Sequence, residues 1–162
     1  MSMQKFPVTE KGFRDITAKL LELKTKDRPE ITKAIASARE LGDLSENAEY
    51  KSARERQSFI ESKIQELENK IACSEVIDIS KLSGNTIKFG ATVQLVDIDN
   101  DKEHTYQIVG EYEANIENHT ISVTSPLSRS LIGKSEGDVV EVHTPTGIKE
   151  YEILAIKYKV HS

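Results

Sequence analysis

The sequence has one cysteine, no tryptophan and no long apolar run. Cys73 alone excludes an internal disulfide and a cysteine metal cluster, which favours a reducing compartment. A membrane-spanning helix needs about 20 apolar residues, so the sequence predicts a cytoplasmic protein. The histidines show no metal-ligand spacing, and there is neither a glycine-rich phosphate loop nor a Ser/His/Asp order. These absences weaken any interpretation as a stand-alone enzyme.

Basic side chains are fewer than acidic ones, so the net charge is −5. The acidic excess lies in residues 77–162, with 13 acidic and 8 basic side chains, whereas residues 1–76 are balanced. An acidic balance argues against broad non-specific DNA binding and leaves a local basic patch open.

The first half of the chain does contain strong helical periodicity. Apolar residues recur at steps of three, four and seven on both sides of an acidic turn at residues 41–50, which predicts two amphipathic helices. The stripes are Phe13, Ile16, Leu20, Leu23, Ile31, Ala34, Ala38 and Leu41, then Tyr50, Ala53, Ile60, Ile64, Leu67 and Ile71. Because each stripe needs a partner and only a short turn separates them, we expect an antiparallel coiled-coil hairpin.

Signals at the helix ends bound the two arms. Thr9 is the expected N-cap of the first arm. At residues 27–30 we expect a kink or short break, where Asp27 and Glu30 form a capping pair that can restart a helix with Pro29 in its first turn. We expect the second arm to run from about Ser45 to Ser74. Residues 75–79 then become β-like.

From Thr86 onward the period becomes alternating, which predicts β-strands. The candidate strands are 91–98, 104–109, 120–124, 138–143 and 149–156. Ser125, Pro126 and Gly133 mark the N-cap, first turn and end of one short helix. The expected fold class is α+β, with an N-terminal coiled-coil domain at 1–79, a linker at 80–85 and, at 86–162, an antiparallel β-sheet domain with that helix.

Asp43 and Glu46, in the turn between the arms, admit two interpretations. Asp-x-x-Glu at the start of a helix is a capping arrangement, and on pattern alone this is the more common case. Two carboxylates at the end of a rod also offer oxygen ligands to a divalent cation. They are too few to hold Mg²⁺ tightly, so they would complete a site on another molecule.

Basic side chains stand beside these acids, interleaved with glutamates. They are Arg39, Lys51, Arg54 and Arg56. A solvated helical surface with i,i+4 ion pairs is the simpler interpretation. The alternative is a small basic patch that holds a nucleic-acid backbone without reading its sequence.

Several segments resemble the bacterial Gre transcript-cleavage factors, specifically the GreA branch. The most specific is the turn Gly42-Asp43-Leu44-Ser45-Glu46-Asn47-Ala48-Glu49-Tyr50, and the others are Arg28-Pro29-Glu30, Gly90-Ala91-Thr92-Val93, Tyr106-Gln107-Ile108-Val109-Gly110, Ile121-Ser122-Val123-Thr124-Ser125-Pro126 and Leu131-Ile132-Gly133-Lys134. The resemblance implies a coiled coil that enters the secondary channel of RNA polymerase and an FKBP-like domain that docks on that enzyme. It implies a transcription elongation factor that stimulates the polymerase's own cleavage of backtracked RNA and is not itself an enzyme.

The resemblance also implies roles for individual residues at the tip. Asp43 and Glu46 match acids that share a Mg²⁺ with the polymerase active site, and Arg39 and Arg54 match positions that face the 3′ end of the transcript. Ser45 stands where relatives often have a basic residue, which leaves that contact unassigned.

For the C-terminal half, the resemblance places Ser125 and Pro126 in the docking loop. The implied partners are DNA-directed RNA polymerase and the nascent RNA. We expect a monomer with no tightly bound cofactor and only a shared Mg²⁺.

Other functions compete with this interpretation. A channel-binding inhibitor of the same shape is disfavoured by the intact acidic pair, and a coiled-coil chaperone by a tip that offers only Leu44 amid charge. A prolyl isomerase needs an aromatic-lined pocket. Residues 86–162 supply only Phe89, Tyr106, Tyr112, Tyr151 and Tyr158.

Overall fold

The computed structural model describes residues 4–43 and 46–160. They form two compact units. One spans Phe13–Ser74, and the other joins the described residues up to Gly12 to those from Glu75 onward. The predicted ranges of an N-terminal domain at 1–79, a linker at 80–85 and a C-terminal domain at 86–162 stay a prediction.

The first unit is a helical hairpin. Helix α1 spans Glu10–Glu22, a π-helical turn spans Leu23–Asp27, α2 spans Arg28–Arg39 and α3 spans Ala48–Cys73. Its apolar stripes form two clusters, Leu23, Ile64 and Leu67 with Ile16, Leu20 and Ile60 around them, and Ile31, Ile35 and Ala53 with Ala34, Tyr50 and Ile60 around them. The predicted antiparallel hairpin is therefore confirmed.

The interruption predicted near Pro29 takes another form. Asp27 has helical dihedral angles, φ −66° and ψ −43°, and its side chain makes no capping hydrogen bond, so the prediction that it caps a restarted helix is wrong. The helix instead widens into the π-helical turn, where the Arg28 N–H donates to the Leu23 carbonyl. A wider turn directly before Pro29 accommodates a residue that lacks an N–H and whose ring crowds the preceding turn.

Ion pairs join the two arms on the outside of the hairpin. The Arg28 guanidinium makes a bidentate contact with Glu61, with Nε–Oε1 and Nη2–Oε2 distances of 2.8 Å. Lys24 Nζ lies 2.9 Å from Glu68 Oε1. Exposed pairs of this kind add little stability each, but bidentate geometry favours one register of the arms over its neighbours.

The second unit is built on a five-stranded sheet. The strands are β1 Phe6–Thr9, β2 Ser74–Ile77, β3 Thr92–Asp97, β4 Glu103–Val109, β5 Thr120–Ser122, β6 Val139–Thr144 and β7 Gly147–Lys157, and helix α4 spans Pro126–Leu131. The five strands lie in the order β5-β4-β3-β7-β6, and β1 and β2 form a separate two-stranded sheet. The α+β fold class, with a helical hairpin followed by a sheet and one short helix, is confirmed.

The pairing of the sheet departs from the prediction at one place. β3 pairs antiparallel with β4 and β7, and β6 pairs antiparallel with β7, but β4 and β5 run parallel. An antiparallel neighbour needs only a tight turn, whereas a parallel one needs a crossover. Residues 110–119 supply this crossover, and alternation within the strands does not report strand direction.

The segment that leads into α1 belongs to the second unit through Glu113. The Glu113 carboxylate accepts hydrogen bonds from the Thr9 N–H at 2.8 Å, the Gly110 N–H at 2.9 Å and the Thr9 hydroxyl. A Cβ at Gly12 or Gly110 would collide with this carboxylate. Thr9 Oγ1 in turn accepts from the Gly12 N–H at 3.0 Å, which confirms Thr9 as the N-cap of α1.

Candidate functional site

The turn between the arms lies between the ends of α2 and α3. The Leu41 N–H donates to the Ala38 carbonyl at 3.1 Å, and Gly42 follows with φ +128°, a left-handed angle that favours glycine. The Glu46 N–H then donates to the Asp43 carbonyl at 3.4 Å, so the two acids flank a local turn. Leu44 and Ser45 lie outside the described residues, so the contact of Ser45 stays unassigned.

Asn47, and not Asp43, is the N-cap of α3. Its Oδ1 accepts from the Tyr50 N–H at 3.0 Å, and its backbone is extended, with φ −90° and ψ 97°. The interpretation of Asp43 and Glu46 as the cap of this helix is therefore wrong. A cap must directly precede the first helical residue to reach the N–H three residues on, and α3 begins at Ala48.

The carboxylates of Asp43 and Glu46 therefore stand outside the helix that follows them. Both residues are exposed. Carboxylates are hard oxygen donors of the kind that Mg²⁺ prefers, and two of them fit part of its ligand set. Among residues 4–43 and 46–160, no three His, Cys, Asp or Glu side chains are grouped so that they would hold a metal ion.

Arg39 on α2 and Arg54 on α3 share one groove near the turn. Its volume is about 240 Å³. Thr32, Ile35, Ala36, Arg39, Arg54 and Gln57 line it. Ile35 is buried and the two arginines are exposed, so the groove combines apolar groups with two permanent positive charges.

Tyr50 connects this groove to the turn. The Arg39 Cζ atom lies 5.8 Å from the centroid of the Tyr50 ring, a distance at which a cation is attracted to the ring face. The backbone N–H of the same Tyr50 is the one that Asn47 caps. Tyr50 therefore contacts both the basic groove, through its ring, and the end of the acidic turn, through its backbone N–H.

Ser125 and Pro126 lie in the second unit, at the start of α4. Ser125 Oγ accepts from the Ser128 N–H at 3.2 Å, which makes Ser125 the N-cap, and Pro126 occupies the first turn. Pro126 is exposed, while Leu131 at the other end of α4 is fully buried in the core. The short helix is thus fixed at one end and presents Pro126 to solvent at the other.

The aromatic residues that an isomerase pocket would need do not form one group. Tyr106 stacks on His104 with centroids 5.7 Å apart, and Tyr151 meets the same ring edge-on at 6.5 Å. Tyr112 instead packs against Phe6, and the Tyr158 hydroxyl donates to the Thr86 carbonyl at 2.6 Å. Burial raises the pKa of Tyr106, Tyr151 and Tyr158. Tyr106 and Tyr151 therefore meet at one histidine ring, whereas Tyr112 and Tyr158 have other partners.

Within the part of the chain that the structure describes, no helix combines the length and apolar character needed to cross a membrane.

The sequence is similar to known proteins along nearly its whole length. Residues 6–76 match the family model described as "Transcription elongation factor, N-terminal", and residues 82–158 match "Transcription elongation factor, GreA/GreB, C-term". The chain is 60% identical over 156 residues to Transcription elongation factor GreA of Acidiphilium cryptum, covering 96% of this chain and 99% of that protein. It is 61% identical over 156 residues to Transcription elongation factor GreA of Ruegeria pomeroyi, with the same coverage.

Among solved structures, GreA factor homolog 1 of Thermus thermophilus is 26% identical and superposes with a TM-score of 0.43, covering 95% of this chain and 99% of the other. The two family models together span nearly the whole sequence, and identity near 60% extends over almost all of it. The chain therefore belongs to the GreA/GreB family of transcription elongation factors.

Proposed function

We propose that this protein binds RNA polymerase, inserts the end of its helical hairpin into the secondary channel and stimulates the polymerase's own cleavage of backtracked nascent RNA, which releases arrested complexes. The observation that carries the proposal is the exposed pair Asp43 and Glu46 in the turn between the arms, beside a helix that another residue caps. Family membership supports the same conclusion. The site of action is then the cytoplasm, beside the polymerase.

In this function Asp43 and Glu46 would help to hold a Mg²⁺ in the polymerase active site. A Mg²⁺ held by these carboxylates and by the polymerase would supply a polarised water and offset negative charge at the phosphodiester. The task of this chain would be to bring two carboxylates to that place. The protein holds no cofactor tightly by itself, because two carboxylates without phosphate or further ligands make a weak site.

The groove with Arg39 and Arg54 would contact the 3′ end of the nascent RNA. Guanidinium groups make paired hydrogen bonds to phosphate oxygens, and such contacts position a strand without reading its sequence. Arg39 and Arg54 come from different arms and line one groove, which supports a common ligand. The polymerase remains the catalyst, and the protein alone does not cleave RNA.

The second unit would supply the docking contact through Ser125 and Pro126. Docking turns the entry of the hairpin into an intramolecular step, which adds on the order of 10² or more in avidity. The acidic excess of residues 77–162 favours electrostatic guidance at the docking step, since residues 1–76 are balanced. One copy of the chain suffices for both contacts, so the protein acts as a monomer.

The test is RNA cleavage by a stalled, backtracked polymerase with and without the protein. Asp43→Asn and Glu46→Gln are each expected to lower the maximal cleavage rate strongly while leaving helicity and melting unchanged, since Asn47 supplies the cap. Glu55→Gln, the same chemical change at an exposed position on α3, is the matched control and keeps full activity. Full activity in both tip variants would refute the metal role.

The same assay separates the competing functions. Cleavage below the level of polymerase alone identifies an inhibitor that binds the channel. RNA hydrolysis by the purified protein without polymerase, once contaminating ribonuclease is excluded, contradicts the assignment of catalysis to the polymerase. Acceleration of prolyl isomerisation in a peptide would support the isomerase alternative.

A further inference from the structure

Asn47 makes two hydrogen bonds that connect the arms of the hairpin. Its Oδ1 accepts from the Tyr50 N–H at 3.0 Å, in the first turn of α3. Its Nδ2 donates to the Ala38 carbonyl at 2.5 Å, in the last turn of α2. A carbonyl at this end of a helix lacks the usual N–H four residues on, and the Ala38 carbonyl accepts from the Leu41 N–H as well as from Asn47 Nδ2. One side chain thus bonds to groups at the ends of both helices.

Only a carboxamide performs both tasks at this position. Aspartate caps a helix as well as asparagine does, but an ionised carboxylate has no N–H to donate. Serine also caps well, but its hydroxyl stands one bond from Cβ and lacks the second arm of the amide. The N-cap role alone therefore does not require asparagine.

The bond to Ala38 closes the loop that carries the two acids. At one end of the loop lies Ala38, a buried residue whose carbonyl also accepts from the Leu41 N–H at 3.1 Å. At the other end lies Asn47. Asp43 and Glu46 lie between these two anchored points. Closing a short loop removes conformational freedom from the residues inside it, so the carboxylates sample fewer positions.

We infer that Asn47 is a positioning residue for the tip acids, and that its Nδ2 to Ala38 bond holds Asp43 and Glu46 where they can act together on a metal. This inference rests on the proposed function. It assigns Asn47 no contact with RNA or polymerase. It predicts an effect on how well the acids work, and not on how well the protein docks.

The test uses full-length protein with Asn47→Ser and Asn47→Asp, measured on backtracked complexes. Both variants keep an N-cap and lose the donation to Ala38. We expect the maximal cleavage rate to fall by about fivefold or more, the factor that corresponds to one typical net hydrogen bond of about 1 kcal/mol. The Mg²⁺ concentration for half-maximal cleavage rises, because the acids are less well ordered. The protein concentration for half-maximal cleavage stays unchanged, because docking uses the other unit.

Two controls accompany these variants. Asn69→Ser makes the same chemical change at an exposed position in α3 and is expected to behave as the unchanged protein. Ala48→Asp adds a negative charge next to Asn47 without removing its amide, so it reports the effect of charge in Asn47→Asp. Agreement between Asn47→Ser and Asn47→Asp, with both controls active, supports the inference.

Failure of the proposed function and failure of this inference are distinguishable. If the unchanged protein does not stimulate cleavage, the proposed function is wrong. If it does, and Asn47→Ser matches it in both maximal rate and Mg²⁺ requirement, the positioning role is refuted. The temperature dependence gives a second check. If Asn47→Ser regains the full cleavage rate at temperatures where circular dichroism shows its hairpin to be fully helical, the positioning role is also refuted, because Asn47 would then only stabilise the fold.

Discussion

Truncation of Ile31 tests whether packing between the arms maintains the hairpin. Ile31 is 1% exposed and packs with Ile35 and Ala53 between α2 and α3. Ile31→Ala leaves only the β-carbon, and at about 0.8 kcal/mol per buried carbon group the lost transfer free energy is roughly 2.4 kcal/mol. The cavity left behind raises the expected destabilisation to about 3 kcal/mol, within the roughly 2 to 5 kcal/mol seen for such changes.

Leu21→Ala is the matched control, since it removes as many carbon atoms from an arm of the same hairpin. Leu21 is 62% exposed, so the expected cost is under about 1 kcal/mol. Thermal unfolding followed by the helical circular dichroism band should show a midpoint lowered by more than about 10 °C for Ile31→Ala and by a few degrees for Leu21→Ala. Equal shifts for the two variants would mean that packing at this seam does not hold the arms together.

Three further predictions concern the groove, helix α4 and the sheet. Arg39→Ala and Arg54→Ala should each raise the protein concentration for half-maximal cleavage and make that concentration less dependent on salt. An unchanged salt dependence would show that the groove does not bind phosphate. Ser125→Ala with Pro126→Ala should raise that concentration while the maximal rate at saturation is kept, so a lowered maximum at an unchanged midpoint would contradict a docking role. Tyr158→Phe should reduce the loss of stability above about pH 10. Burial raises the pKa of Tyr158 above its usual value of 10.0, so its stabilising contribution is complete below that value and is lost as pH rises through the folded-state pKa. Equal alkaline midpoints for the two proteins would oppose this.

The spacing of apolar residues predicted most of the helices and strands, because burying one face of each element imposes that spacing. The strands observed at Thr92–Asp97 and Glu103–Val109 lie within a residue of those expected at 91–98 and 104–109. Alternation of buried and exposed residues is a local property, so a single sequence displays it. Short α4 was also predictable, since Ser125, Pro126 and Gly133 are all end signals with a direct backbone cause.

Features that depend on distant contacts were not predictable in this way. Strand β1, Phe6–Thr9, is only four residues long and contains a proline, and Glu113, which holds it, lies 104 residues away from Thr9. The parallel pairing of β4 with β5 leaves no mark in either strand. Local pattern also misplaced the cap of α3, because Asp43-x-x-Glu46 matches a capping arrangement, whereas the helix begins at Ala48 and Asn47 caps it.

The placement of the cap on Asn47 separates two demands that the sequence pattern had assigned to the same residues. A carboxylate that caps a helix directs an oxygen at a backbone N–H, which fixes that oxygen and competes with a cation for it. A neutral amide at the cap leaves the orientation of Asp43 and Glu46 to the loop, and the bond from Asn47 to Ala38 constrains that loop from its far end. The double variant Asp43→Asn with Glu46→Gln should therefore melt like the unchanged protein and fail to stimulate cleavage, whereas Asn47→Ala, which loses the cap as well, should lose both helicity and activity. If the double variant melted lower by as much as Asn47→Ala, the acids would also stabilise the helix, and the division of labour between cap and acids would be wrong.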